Sequence, residues 1–133
     1  KTTSYAENVK ALYSASKDGC SEAVFLNTAG WLCEGTGTNI FLVVNETLTT
    51  PDLSPGCLAG ITRELVLEIE EAEERSISLE EVSEASEAFL TSSTRDISPI
   101  SCLGEIVFPN APGPVTAKVA EKFAALVASN PDP

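Results

Sequence analysis

Two apolar stretches, Ala23-Val24-Phe25-Leu26 with Trp31-Leu32-Cys33 and then Ile40-Phe41-Leu42-Val43-Val44, flank the polar hexapeptide Glu34-Gly35-Thr36-Gly37-Thr38-Asn39. Short apolar runs rich in β-branched and aromatic residues predict buried strands, so the polar segment between them constrains the fold. Its two glycines let the backbone pass close to a neighbour, and its threonines offer hydroxyls. A carboxylate, Glu34, stands where the first run ends. Two readings stay open at this point. The segment is either a tight strand connection with a solvated acid or a ligand site in which Glu34 meets a positive group.

Around this centre the chain alternates irregularly between helix and strand patterns. Residues 4–17 space Tyr5, Val9, Leu12 and Tyr13 for a helix with one buried face, with Ser4 able to cap it and Gly19 able to end it. Residues 22–26, 31–33, 39–44 and 47–50 read as strands of an antiparallel meander. Prolines and glycines make 51–60 a loop. A helix follows from Ile61 to about Glu74, with Leu65, Val66, Ile69 and Ala72 inward. Ser78-Leu79-Glu80-Glu81 fits a capping box opening a second acidic helix. Residues 87–91 form a strand broken by Ser92-Ser93-Thr94-Arg95. Extended runs at 97–103 and 105–108 follow, joined by a turn at Gly104. A loop at 109–114 leads into a helix that starts on Pro114 and carries Val119, Phe123, Leu126 and Val127. Strands and helices mix without strict alternation, so the class is α+β or an irregular α/β barrel. The 133 residues form a single domain.

Composition excludes several functions. A formal charge of −12 argues against nucleic acid, whose phosphates need a basic face. Most of the acidity lies between Glu64 and Glu87, where it reads as solvated helix faces. The absence of histidine removes Ser-His-Asp and Cys-His machinery and His-based metal sites. Cys20, Cys33, Cys57 and Cys102 are too scattered for a zinc knuckle and read as inert core thiols of a reducing compartment. With no apolar run of membrane-spanning length and no signal-like start, the expected location is cytoplasmic. The chain has no methionine and opens on Lys1, so it is read as a fragment or a processed piece of something longer.

Polar clusters recur at strand ends and at a helix start: residues 34–39, Gly60-Ile61-Thr62, and Thr91-Ser92-Ser93-Thr94. Gly60-Ile61-Thr62 opens a helix, where free amides and a hydroxyl suit a phosphate. Ser92-Ser93-Thr94 could add further donors to the same anion. Each also has an ordinary explanation, Thr62 as a helix cap and the Ser/Thr run as a turn. Lys10, Lys17, Lys118 and Lys122 lie on predicted helix faces and read as solvated. Lys1 precedes a helix, and a lysine amine attacks carbonyls when burial lowers its pKa. An N-terminal-nucleophile hydrolase is excluded, since position 1 would need Ser, Thr or Cys.

The order of these clusters resembles the class IV aminotransferases, the fold-type IV pyridoxal-phosphate enzymes that include branched-chain and D-amino-acid aminotransferases and aminodeoxychorismate lyase. The resemblance runs from Lys1 and Tyr5-Ala6-Glu7-Asn8-Val9 through Glu22-Ala23 to the segment from Gly30 to Phe41 that holds Glu34. It continues through Thr50-Pro51, Leu58-Ala59-Gly60-Ile61-Thr62-Arg63 and Ala85-Ser86-Glu87-Ala88-Phe89-Leu90-Thr91-Ser92. It closes on Ile97-Ser98-Pro99-Ile100 and Gly113-Pro114-Val115-Thr116. The corresponding part of the family is its C-terminal, cofactor-bearing half. The resemblance therefore implies an α+β domain whose mixed sheet closes as an irregular α/β pseudo-barrel with surrounding helices, and a chain that is the C-terminal half of a longer parent.

The resemblance implies pyridoxal 5'-phosphate as cofactor and Lys1 as the Schiff-base lysine and catalytic base. Glu34 falls on the carboxylate that meets the pyridine nitrogen, and Tyr5 is similar in position to a tyrosine near the ring's phenolic oxygen. Leu58 looks like the residue packed on the ring. Ile61 and Thr62 match the phosphate binders at the helix start, Ser93 a further phosphate ligand, and Thr94 a donor to cofactor or substrate anions. The family's phosphate-binding arginine comes from an N-terminal half that this chain lacks, and Arg63 is expected to point along its helix instead. The substrate pocket is completed in relatives by that missing domain and by a homodimer, so the fragment by itself is expected to be weak or inactive. The implied reaction is an aminotransferase or aminodeoxychorismate-lyase-like one on a small amino-acid-type substrate. The alternative is a noncatalytic domain of the same scaffold that binds a phosphate or a partner subunit.

Overall fold

The computed structural model describes residues 5–54 and 56–130. Its helices are α1 (Ala6–Lys17), α2 (Ile61–Ile69), α3 (Leu79–Glu84) and α4 (Pro114–Ser129). The strands are β1 (Val24–Leu26), β2 (Leu32–Gly35), β3 (Asn39–Val44), β4 (Thr47–Pro51), β5 (Glu73–Arg75), β6 (Glu87–Ser92), β7 (Asp96–Pro99), β8 (Cys102–Leu103) and β9 (Ile106–Val107).

Strand β3 is buried along its whole length. Because side chains alternate across a strand, it feeds two cores at once. Ile40, Leu42 and Val44 meet Leu32, Ile77, Val82, Leu90 and Phe108 on one face. Phe41 and Val43 meet Val66 of α2 and Val119 and Phe123 of α4 on the other. Phe41 lies directly opposite Phe89 of β6, their rings stacked at 5.0 Å between centroids. A central strand with no polar face is what an uninterrupted Ile-Phe-Leu-Val-Val run requires.

The main sheet has the order β5-β4-β3-β6-β7, mixed because β5 runs parallel to β4 while the other pairs are antiparallel. The α+β class therefore holds. Among the described residues no pairing joins β5 to β7, so the strand pairings do not close the expected pseudo-barrel. The expected meander also divides: β1 pairs with β2, whereas β3 takes β4 and β6 as its neighbours. The tight turn at Asn45-Glu46, both with positive φ, joins β3 to β4.

Three expectations need correction. α2 ends at Ile69 rather than near Glu74, because 73–75 extend along the edge of β4. Periodicity cannot see this edge, and Ala72 still packs on the α2 side from outside the helix. α1 buries no residue, and Val9 and Tyr13 of its apolar stripe are exposed. The acidic stretch is not all solvated face. Glu87 is buried and accepts the backbone N–H groups of Val115 at 3.0 Å and Thr116 at 2.8 Å, at the start of α4. A carboxylate on those orphan amides also complements the helix dipole.

α3 opens with the expected capping box between Ser78 and Glu81, and α4 begins on Pro114. Lys118 and Lys122 are not simply solvated, since both reach Glu70 at 2.8 Å and tie α4 to the end of α2. No described helix is long and apolar enough to cross a membrane.

Candidate functional site

A cavity of about 410 Å³ lies at the ends of β3 and β6, against the start of α2. Three separate segments line it. Gly37 and Asn39 come from the polar hexapeptide, Leu58, Ala59, Gly60, Ile61 and Thr62 from the entry to α2, and Thr91, Ser92, Ser93 and Thr94 from the end of β6 and its turn. The strand register explains the meeting, because Asn39 pairs with Thr91 across β3 and β6.

The entry to α2 is held by side chains below it. Asn39 Nδ2 donates to the Leu58 carbonyl at 2.8 Å. A Cβ on Gly60 would sit 2.2 Å from Asn39 Oδ1, so only glycine allows this approach. Gly60 is the N-cap of α2 and carries no side chain to cap it. Thr62 therefore is not the cap; it lies one residue inside the helix, buried, in the cavity wall. The first amides of a helix lack intrahelical acceptors, so this end of α2 presents donors with a favourable dipole. No lysine or arginine is among the described residues of the wall. The donors are amides and hydroxyls.

Arg63, next in sequence, points away. Its guanidinium is buried, donating to the Pro51 carbonyl at 3.0 Å and to Glu74 at 2.6 Å, and so joins α2 to β4 and β5. It is a strut of the fold, reaching across to β4 and β5 rather than pointing along its own helix as expected.

Glu34 is half-buried at the end of β2, and its Oε2 accepts the Leu58 N–H at 2.9 Å. It is not in the wall itself; it grips a wall residue. Tyr5 is partly exposed, and its hydroxyl donates to the Thr36 carbonyl at 2.6 Å, beside the Asn8 Nδ2 contact at 2.8 Å. Leu58, Ile61, Thr62, Ser93 and Thr94 all line the cavity, Ile61, Ser93 and Thr94 from exposed positions. Lys1 lies outside the described residues.

Behind Glu34 and Leu58 their sequence neighbours also meet: Cys57 Sγ lies 3.4 Å from Cys33 Sγ. Burial foremost, then the Cys33 thiol and the nearby charge of Glu34, push the Cys57 thiol up to about 12. Burial raises Cys33 as well. Cys20 and Cys102 are exposed, which corrects the reading of all four cysteines as core thiols.

Asn39 and Thr91 belong to the polar clusters visible in the sequence; their burial, which separates them from ordinary turn residues, appears only in the folded chain.

The sequence matches the family model of amino-transferase class IV over residues 1–103, and the chain belongs to that family. It is 40% identical over 110 residues to a protein of Thermotoga maritima named a probable branched-chain-amino-acid aminotransferase, covering 78% of this chain and 40% of the relative. It is 33% identical to the branched-chain-amino-acid aminotransferase of Pseudomonas aeruginosa, over 92% of this chain and 42% of that protein. The crystal structure of the branched-chain amino acid aminotransferase of Thermobaculum terrenum in its PLP form superposes with a TM-score of 0.88 at 33% identity, covering 94% of this chain and 43% of that one. The chain thus spans less than half the length of these relatives.

Proposed function

We propose that this chain is the cofactor-bearing domain of a pyridoxal 5'-phosphate enzyme that acts on small amino-acid substrates as an aminotransferase or an aminodeoxychorismate-lyase-like enzyme. The observation that carries the reading is the cavity where the start of α2, Thr62 and the Ser92-Ser93-Thr94 turn converge. One further detail supports the fit of a phosphate-bearing group. Thr91 Oγ1, in this wall, is buried without a hydrogen-bond partner among the described residues, and buried hydroxyls seldom stay unsatisfied.

When bound, the cofactor supplies an electron sink for charge developing on the substrate Cα. The residues of the chain do the rest. Ile61 and Thr62 offer amides and a hydroxyl to the phosphate, and Ser93 and Thr94 add donors from the adjoining turn. Leu58 packs against the ring. The Glu34 carboxylate holds the proton on the pyridine nitrogen, since a nearby anion favours the charged form. Tyr5 closes the phenolic edge. Lys1 is the amine that would hold the cofactor covalently, and its Nζ moves the substrate Cα proton. These roles serve transamination and lyase chemistry alike.

The greater length of the relatives supports a phosphate arginine supplied by another domain. The reading therefore includes a further N-terminal domain and a homodimer that complete the substrate walls, with residues 1–133 as one cofactor-binding unit. It places the protein in the cytoplasm, where its four cysteines would stay reduced.

The intact protein, mixed with pyridoxal 5'-phosphate, should develop an absorbance band near the visible edge. Borohydride should bleach that band, and Lys1→Ala should abolish it. An intact protein with no such band would favour the noncatalytic scaffold instead. D-amino acids, branched-chain amino acids and aminodeoxychorismate, offered in turn with keto acid and aromatic amine measured separately, identify the substrate class.

A further inference from the structure

Glu22 lies just before β1, with its side chain only 7% exposed. It is not in the cavity wall, yet it touches two of the segments that form or adjoin it. Oε1 accepts the Thr36 N–H at 3.2 Å and the Thr36 hydroxyl, as well as its own neighbour's N–H, Ala23, at 3.0 Å. Oε2 meets the Thr38 hydroxyl at 3.5 Å and Arg95 Nη1 at 3.6 Å. Thr36 and Thr38 flank Gly37 of the wall, and Arg95 follows directly on Ser92-Ser93-Thr94.

We propose that Glu22 is a positioning residue whose single carboxylate couples the 36–38 segment to the 92–95 turn and so sets the spacing of the cavity wall. Several features fit that task better than simple packing. A buried carboxylate is costly unless its oxygens are occupied, and here both are, by groups from two different segments. The backbone makes room for it: a Cβ on Gly35 would come within 3.3 Å of Glu22 Cγ and 2.1 Å of Thr38 Oγ1. The coupling also extends beyond Glu22, because the Thr36 carbonyl accepts from Tyr5 and Asn8. A shift of Thr36 therefore moves Gly37 and releases Tyr5 together. Arg95 contributes from the solvent side, and among the described residues Glu22 is the charged anchor of its turn to the 36–38 segment.

The proposal rests on the reading of the cavity as a phosphate and cofactor site, and the test separates the two. Glu22→Ala, Glu22→Gln, Arg95→Ala and the double variant Glu22→Gln/Arg95→Ala are made in the intact protein. Amide hydrogen exchange is followed without cofactor, and pyridoxal 5'-phosphate affinity is measured separately. Arg95→Ala should speed exchange at residues 36–38, although Arg95 does not belong to that segment. Glu22→Gln keeps an oxygen for Thr36 but loses the ion pair, so it should match Arg95→Ala. The double variant should add nothing further. Affinity for pyridoxal 5'-phosphate should fall about tenfold in Glu22→Ala and less in Glu22→Gln, the scale of one hydrogen bond to a charged group. Unchanged exchange at 36–38 in Arg95→Ala, or additive effects in the double variant, would overturn the coupling even if Glu22→Ala failed to fold. A wild-type protein that binds no pyridoxal 5'-phosphate would instead refute the functional reading, with the exchange result still deciding the coupling.

Discussion

Glu34 Oε2 accepts the backbone N–H of Leu58 at 2.9 Å, so the carboxylate at the end of β2 fixes the backbone that leads into α2. Asn39 completes the attachment from β3 by donating to the carbonyl of the same residue at 2.8 Å. Leu58 thus has its amide and its carbonyl held by side chains from two strands, which explains how a Pro/Gly-containing loop can present a defined helix start. The acid of the polar hexapeptide is not a free surface charge: it adjoins the cavity and fixes the backbone of one of its wall residues.

Gly60 is the most sensitive position of that helix entry. Gly60→Ala puts a methyl group 2.2 Å from Asn39 Oδ1 and forces the loop away. The expected cost is about 1–3 kcal/mol, the range for overpacking a well-filled site. Urea denaturation should show the lower midpoint, and Asn39→Ala in the same protein should recover part of it. Additive losses would show that Asn39 is not the obstacle.

Glu87 holds the start of α4 through two amides in a buried setting. Glu87→Gln turns one acceptor into a donor that faces an N–H, with an expected loss of about 1–3 kcal/mol. Gly113→Ala should also destabilise, since its Cβ would lie 2.3 Å from Glu87 Cδ. Hydrogen exchange at Val115 and Thr116 should quicken in Glu87→Gln. Protection equal to wild type there would contradict the role assigned to the carboxylate.

The thiols should divide by reactivity. Burial first, and then the Cys33 contact, keep Cys57 protonated up to about 12, and burial also raises Cys33. Iodoacetamide at pH 8 should label exposed Cys20 and Cys102 well before either. The sign for stability follows from linkage. The unfolded thiol ionises near 9.0 and the folded Cys57 near 12, so its contribution is complete below pH 9 and is lost as pH rises toward 12. Cys57→Ser should flatten that alkaline decline in a pH series of thermal midpoints.

Acid acts where α4 meets the end of α2. The hydrogen bonds from Lys118 and then Lys122 hold the Glu70 carboxyl below its usual value of 4.5. Its contribution is present above pH 4.5 and disappears as pH falls through the lower, folded value. Lys122→Met should reduce the acid sensitivity of the midpoint while leaving the alkaline limb unchanged. An identical acid limb would show that the contact between α2 and α4 carries no linkage.

Much of the fold follows from local pattern. The Ile-Phe-Leu-Val-Val run had to be a buried strand, Ser78 and Glu81 had to cap a helix, and Pro114 had to start one, because each depends on a few adjacent residues. The three polar clusters were visible for the same reason, and their order along the chain pointed to the class IV family. Tertiary contact decided the rest. α2 stops at Ile69 because the following residues find an edge at β4, and α1 shows an apolar stripe that no described element covers. Glu87 and Glu22 look like any other acids until burial makes one a helix clamp and the other a bridge between two loops. Sequence determined which segments could be strands, helices or anion-binding turns, since those preferences are local. The pairing of Asn39 with Thr91, which brings distant clusters to one cavity, was decided by a strand register that exists only once the chain has folded.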